Sequence, residues 1–393
     1  MISLEIFNFI NNHYFIKYLQ RRKGEIFLVE KGLKGIVATE TNISHIDGST
    51  GKLIYRGYPI SEITKKCTFE ETAYLLWYGE YPNEEQLRLL KEELKNNREL
   101  PDHVKTVITL LPTSMDLMSV IRTVISAIGG NDEYAFPPTL SQAIKLTALI
   151  PTIIAYRTRL LEGKNILPPH HEFNHIENYL YMLTGTRPNA AHVKALETYM
   201  ILTLEHGMNA STFAARVTVS TESDMLSGVT SAIGTMKGPL HGGAPSGVIE
   251  LLNEISNTRD IEGVIRRKLI NGEKLMGFGH RIYKTHDPRA LALKKELLNL
   301  GGHDDWLDLA IEVEEIAIRL LEELKPGRSL YTNVEFYAAA IMKAIEMEPE
   351  LFTPTFTASR IVGWTAHILE QAENNTIYRP QAKYVGPIYS CGS

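Results

Sequence analysis

Apolar positions recur at three- and four-residue spacing through 117–128, 140–161, 193–204 and 311–324, the period of helices that turn one face to a core. Thr68-Phe69-Glu70-Glu71 has capping-box spacing ahead of Ala73, Tyr74, Leu75, Leu76 and Trp77, which predicts a helix that starts at the threonine and stops at Gly79. Others are expected over about 83–94 and 248–255, and Pro151 predicts a kink in the 140–161 helix. Strand-like patterning is nearly confined to 44–55, where Gly48-Ser49-Thr50-Gly51 reads as the turn of a short hairpin. The fold class is therefore mainly α. Three segments break the helical rhythm with glycine, proline and histidine, at 238–245, 272–288 and 325–333. Irregular segments between helices are where one shared site is expected.

Composition narrows the function classes. The 393 residues are 44% hydrophobic and 22% charged, an ordinary globular balance in a chain long enough for two domains. A formal charge of -5 gives no reason to expect nucleic acid or an anionic membrane as partner, so any basic site must be local. The longest apolar stretch, 146–156, carries Thr147, Pro151 and Thr152 between Lys145 and Arg157, and is too short to span a bilayer. Cys67 and Cys391 lie far apart without metal-like spacing, which fits a reducing, cytoplasmic setting. Residues 1–30 read as an N-terminal extension, either an amphipathic helix or a stretch ahead of a true start near Val29. Their basic run, Arg21-Arg22-Lys23, follows the aromatic-rich part, the reverse of a secretory signal.

Chemistry concentrates in the interrupting segments. Gly277 and Gly279 flank the backbone of His280, with Lys284 and Arg289 following closely; an open main chain, an imidazole and cations suit an anionic ligand. His241 stands among glycines just before a helix, where unpaired N–H groups disfavour a second proton and leave a neutral donor for a carbonyl. Glu335 lies between Val334 and Phe336, where desolvation would make it more basic. Two histidine donors and one carboxylate base suit proton abstraction beside a carbonyl, followed by carbon–carbon bond formation.

With Gly32-Leu33-Lys34-Gly35-Ile36, the Asp47-Gly48 hairpin, Tyr55-Arg56-Gly57-Tyr58 and Glu205-His206-Gly207-Met208-Asn209-Ala210-Ser211-Thr212, these segments resemble the citrate synthase family over about 31–387, including its 2-methylcitrate synthases. The resemblance implies a two-domain helical fold. Its large domain would comprise 31–240 and 341–393, and a small domain, 241–340, would close over the substrates. It implies a homodimer that condenses acetyl-CoA with oxaloacetate and water to give citrate and CoA, or propionyl-CoA to give 2-methylcitrate. His241 would hold the thioester oxygen, Glu335 would remove the methyl proton and His280 would donate to the ketone. His206, Arg289, Arg360 and Arg379 would hold oxaloacetate, Arg379 reaching across from the partner subunit; guanidinium forks suit carboxylates. Asn209 and Ser211 would brace the histidines. Leu275, Met276, Gly277, Phe278 and Gly279 would line the CoA path, with Lys284 and Lys237 near phosphates. No metal and no resident cofactor are implied, since the CoA thioester is a substrate. Position 335 departs from the pattern, because most of the family carries aspartate there.

Other motifs compete. His171-Glu172-Phe173-Asn174-His175 fits the H-E-x-x-H pattern of zinc hydrolases, with Glu197 a nominal third ligand, but Pro168-Pro169-His170 places His171 in a loop or a first turn. Gly277-Phe278-Gly279 lacks the third glycine of a dinucleotide fingerprint because Ile282 stands in its place. No Gly-x-Ser-x-Gly elbow occurs. A non-catalytic CoA-binding scaffold would keep Lys284 and the loop but would not need both histidines and the arginines.

Overall fold

The computed structural model describes residues 21–22, 25–26, 30–129, 134–242, 244–280, 282–299, 305–328 and 330–389. They group as two units, one of the described residues up to Thr41 with those from Arg379 onward, the other Asn42–Tyr378. In the first, strand β1 (Arg21–Arg22) pairs antiparallel with β2 (Glu25–Ile26), a 3-10 turn spans Lys31–Leu33, and the C-terminal stretch exposes Tyr384, Val385, Ile388 and Tyr389. The amphipathic helix expected at the start of the chain falls on residues outside the described ones.

In the second unit β3 (Ser44–Asp47) and β4 (Lys52–Tyr55) form the expected hairpin, Asp47 opposite Lys52, and β5 (Tyr58–Pro59) adds a short third strand. Sixteen α-helices follow among the described residues: α1 Ile60–Lys66, α2 Phe69–Tyr78, α3 Glu84–Asn96, α4 Asp102–Leu110, α5 Leu117–Ala127, α6 Leu140–Leu161, α7 His175–Thr184, α8 Ala190–Thr203, α9 Ala210–Val219, α10 Met225–Met236, α11 Ala244–Thr258, α12 Ile261–Ile270, α13 Pro288–Asn299, α14 Asp305–Leu324, α15 Val334–Ala344 and α16 Phe352–Glu373. The chain is mainly α, as its patterning predicts.

Side-chain caps set several of these starts. Thr68 accepts from the Glu71 N–H while Glu71 accepts from the Thr68 N–H, and the Asn83–Gln86, Thr139–Gln142 and Asn174–Glu177 pairs repeat the arrangement at α3, α6 and α7. Gly79 ends α2 in the left-handed region, φ 87°. α6 runs unbroken through the buried Pro151, where the kink is expected.

The core centres on α16, which packs against α2, α6, α8, α9 and α10. This helix escapes amphipathic reading because it has no polar face to contrast with an apolar one: Thr355, Thr357, Ser359, Arg360, Thr365 and His367 are all buried. The hydroxyls among them find partners inside. Thr357 and Thr365 hydroxyls donate to the carbonyls of Thr353 and Ile361 at 3.0 and 2.8 Å, and Ser359 donates to the Met200 carbonyl of α8 at 2.7 Å. No helix of the described residues is long and apolar enough to cross a membrane.

Candidate active site

The loop before His280 and the start of α15 are one piece. Gly277 and Gly279 both take left-handed φ, 87° and 81°, and a Cβ on Gly277 would press within 2.9 Å of the Phe336 ring. Gly279 N–H donates to the Tyr331 carbonyl at 2.7 Å, and Asn333 N–H to the Gly277 carbonyl at 2.9 Å. The Asn333 amide also donates to the Gly279 carbonyl at 2.9 Å and accepts from the Glu335 N–H at 3.0 Å. One asparagine thereby ties the loop that presents His280 to the turn that presents Glu335.

His280 has its proton placed by the backbone. The N–H groups of Ile282 and Tyr283 both donate to Nδ1, at 3.0 and 3.1 Å, so Nδ1 is the acceptor and Nε2 carries the hydrogen. Arg289 Nη2 lies 3.3 Å from that Nε2. Two donors therefore face each other. An arrangement of this kind is relieved by an oxygen that accepts from both. Tyr283 packs its ring at 4.7 Å from the His280 ring, and its hydroxyl lies 3.2 Å from Nε2 of His206. The His206 ring in turn meets His280 edge-on at 5.4 Å.

The arginines are held differently. Arg289, 3% exposed, lies against Asp287, which is 1% exposed; Asp287 accepts from its Nε at 3.0 Å and its Nη2 at 2.8 Å. The same carboxylate accepts the Val334 N–H at 3.2 Å, so it joins α13 to the start of α15. Arg360, 1% exposed, donates through Nε to the Thr203 carbonyl at 2.7 Å and lies over the Phe356 ring at 4.8 Å. The rest of its guanidinium has no protein hydrogen-bond partner among the described residues. A buried cation with open donors suits a carboxylate.

His241 is placed by a turn in which its N–H donates to the Gly238 carbonyl at 2.9 Å, and Thr353 of α16 donates to the Gly242 carbonyl at 2.8 Å. Its Nε2 lies 2.7 Å from Ser211 Oγ. Ser211 accepts from the buried Trp364 indole at 3.0 Å and lies 2.8 Å from Asn209 Oδ1, which already accepts the Thr212 N–H. The single hydroxyl hydrogen can go to Asn209 or to His241, not both. If it goes to His241, Nδ1–H is left as the imidazole's free donor.

Electrostatics follow from burial. Burial, then Arg360, pushes the His241 pKa down to about 4, and burial, then Arg289, pushes His280 down to about 4. Burial, then Arg289, holds His206 well below the ordinary imidazole value. All three imidazoles are neutral at pH 7. Glu335 moves the other way: burial raises it to about 7, opposed by Arg289. No side-chain donor among the described residues reaches its carboxylate, so it is a neutral-pH base without a partner.

The remaining sequence candidates are placed less centrally. Leu275 is buried, Met276 half-buried, and the Phe278 ring lies 5.2 Å from that of Phe336. Lys284 is exposed, whereas the Lys237 ammonium lies 2.8 Å from Asp116 and 2.6 Å from Ser119. Arg379 is an exposed member of the other unit. The H-E-x-x-H reading is corrected: His171 and Glu172 are exposed in the bend before α7. His175 opens that helix, buried and stacked on Phe69 at 4.6 Å. Glu197 accepts the Phe69 N–H, and the described residues hold no metal-ligating cluster.

Sequence reading gave no role to Tyr283, Asp287, Asn333 or Trp364. Asp287 and Asn333 carry the signal of residues that open a helix, Asp287 before a proline at the first helical position. Tyr283 and Trp364 carry none, since their importance lies in contacts across the fold.

A family model described as citrate synthase, C-terminal domain, matches residues 32–381. The chain is 41% identical over 368 residues to citrate synthase 2 of Bacillus subtilis, covering 91% of this chain and 96% of that one. It is 39% identical over 363 residues to 2-methylcitrate synthase of Mycobacterium tuberculosis, covering 91% of each. The solved ternary complex of carboxymethyl coenzyme A and oxaloacetate with citrate synthase from Thermoplasma acidophilum superimposes with a TM-score of 0.86. It is 30% identical in sequence, and the match covers 93% of this chain and 98% of that one.

Proposed function

Because the chain belongs to the citrate synthase family, whose members transfer an acyl group from a CoA thioester to oxaloacetate, we propose that its acyl donor is acetyl-CoA and its product citrate. The likeness to relatives named citrate synthase supports the acetyl choice, and the observation that carries the oxaloacetate part is the facing pair of donors, His280 Nε2–H and Arg289 Nη2. It suits a ligand that offers a ketone oxygen beside a carboxylate, and oxaloacetate is such a ligand.

In this reading Glu335 takes a proton from the acetyl methyl group while Nδ1–H of His241 donates to the thioester oxygen, giving an enol or enolate. The Ser211 hydrogen then belongs on His241 Nε2. The nucleophilic carbon attacks the ketone of oxaloacetate, whose oxygen gains negative charge as His280 donates to it. Water cleaves the resulting citryl-CoA to citrate and CoA. His206, Arg289 and Arg360, with Arg379 from a partner subunit of a homodimer, hold the carboxylates; residues 275–279 line the CoA path, and residues 241–340 act as the closing domain. No resident cofactor is required by these steps.

Propionyl-CoA is the second reading, favoured by the likeness to a 2-methylcitrate synthase. One methylene in an apolar pocket changes selectivity by only about 1–3 kcal/mol. Steady-state release of CoA with each thioester and oxaloacetate tests the choice. The proposal expects a higher kcat/KM for acetyl-CoA; a ratio strongly in favour of propionyl-CoA overturns it.

A further inference from the structure

The proton on Nε2 of His280 depends on two backbone N–H groups, those of Ile282 and Tyr283, and something must hold that backbone in place. The N–H of the next residue, Lys284, donates to the Gly48 carbonyl at 2.8 Å. Gly48 sits in the turn between β3 and β4, far away in sequence. A Cβ on it would lie within 2.8 Å of the Ile282 carbonyl carbon and 2.9 Å of the Ile282 side chain. Three residues on, Gly51 takes φ 66°, and a Cβ there would come within 2.8 Å of the His286 carbonyl oxygen.

The turn is itself held firmly. Asp47 Oδ1 accepts from the Ser49 N–H at 2.9 Å, the Ser49 hydroxyl at 2.6 Å and the Thr50 N–H at 3.1 Å, while Oδ2 accepts from the Thr50 hydroxyl at 2.6 Å. A turn pinned by Asp47 thus meets the 282–286 backbone through its two glycines, Gly48 and Gly51, where no side chain intervenes. We propose that Gly48 is a positioning residue for His280: the hairpin turn seats the Ile282 and Tyr283 amides on Nδ1 and so keeps Nε2–H aimed at the substrate. The Lys284–Gly48 bond anchors the backbone next to these amides, and a methyl group at position 48 would press on the Ile282 carbonyl and side chain beside them. The value of this device for turnover rests on the reading of His280 as donor to the ketone, but its effect on the imidazole does not.

The experiment uses full-length, 15N-histidine-labelled protein. Ring-nitrogen shifts report which nitrogen carries the proton, and the His280 signals are identified by their loss in His280→Gln. The parent should show a single form protonated at Nε2. Gly48→Ala should show a mixture of tautomers and a kcat lower by about tenfold to a hundredfold, the scale for an ångström-sized misplacement, with the KM for the acyl-CoA little changed. Asp47→Ala loosens the turn without adding a methyl group and should shift both readouts the same way, which keeps the test decisive if Gly48→Ala does not fold. A folded Gly48→Ala or Asp47→Ala protein that keeps a pure Nε2–H signal overturns the proposal. Full activity in His280→Gln would instead remove His280 from the chemistry, and the tautomer readout would still judge the role of Gly48.

Discussion

Glu335 can remove a proton only when ionised, and burial raises its pKa to about 7. With acetyl-CoA, kcat/KM should therefore climb between pH 6 and 8, and Glu335→Gln should lose about a hundredfold or more; a Gln variant as active as the parent would end the assignment. The same shift acts on stability with the opposite sign. Between the ordinary value of 4.5 and about 7 the folded state binds more protons than the unfolded one, so stability falls as pH rises through that window. Glu335→Gln should melt higher than the parent above pH 7 and equally near pH 4, a gain of at most about 3 kcal/mol trimmed by the carboxylate's partial exposure. Ser211→Ala makes a companion case. Without the hydroxyl nothing directs the hydrogen to Nδ1 of His241, and kcat should fall on the order of tenfold to a hundredfold, the scale for a misplaced catalytic group. An unchanged pH profile and rate would show that Trp364 and Ser211 merely pack. Glycine flanks and apolar neighbours made His241, His280 and Glu335 legible in the chain. Which nitrogen holds each proton was not legible, because that depends on Ile282, Tyr283 and Ser211 in three dimensions.

At the level of elements, an irregular segment can join two helices through one polar side chain. Asp287 does this for α13 and α15 by accepting from Arg289 and from the Val334 N–H. Asp287→Ala leaves a buried guanidinium unpaired and a helix start uncapped, and should lower the unfolding free energy by about 3–5 kcal/mol. Urea titration of the parent and the variant measures it, and a midpoint within error of the parent's would show that Arg289 finds another partner. Helix starts were readable where a side chain caps its own turn, as at Thr68. The long α16 was not readable, since a helix buried all round shows no periodic contrast. Its hydroxyls satisfied inside the core resemble surface residues when seen only as letters. The H-E-x-x-H pattern failed for a related reason: spacing implies a shared helical face only within a helix, and α7 begins at the second histidine.

For the whole molecule, the proposed homodimer makes a quantitative prediction through Arg379. If Arg379 completes the site of the neighbouring subunit, Arg379→Ala damages the partner's site, while Arg360→Ala damages the site of its own chain. Each variant alone should then be nearly inactive, with the oxaloacetate KM raised more than that for acetyl-CoA. Unfolding the two together and refolding them in equal amounts changes the outcome. Half of the dimers are then mixed, and a mixed dimer has one site with both arginines, so symmetry predicts recovery of about a quarter of parental activity. An Arg379 acting within its own chain gives no such recovery, because no site in any dimer would then hold both arginines. The same refolding run with Glu335→Gln in place of Arg360→Ala should also recover about a quarter, since Glu335 lies in the same unit as Arg360. Recovery with one partner and not the other would mean that Arg360 and Glu335 serve different subunits' sites, and the assignment of one chain's histidines, base and buried arginines to a single chamber would fall.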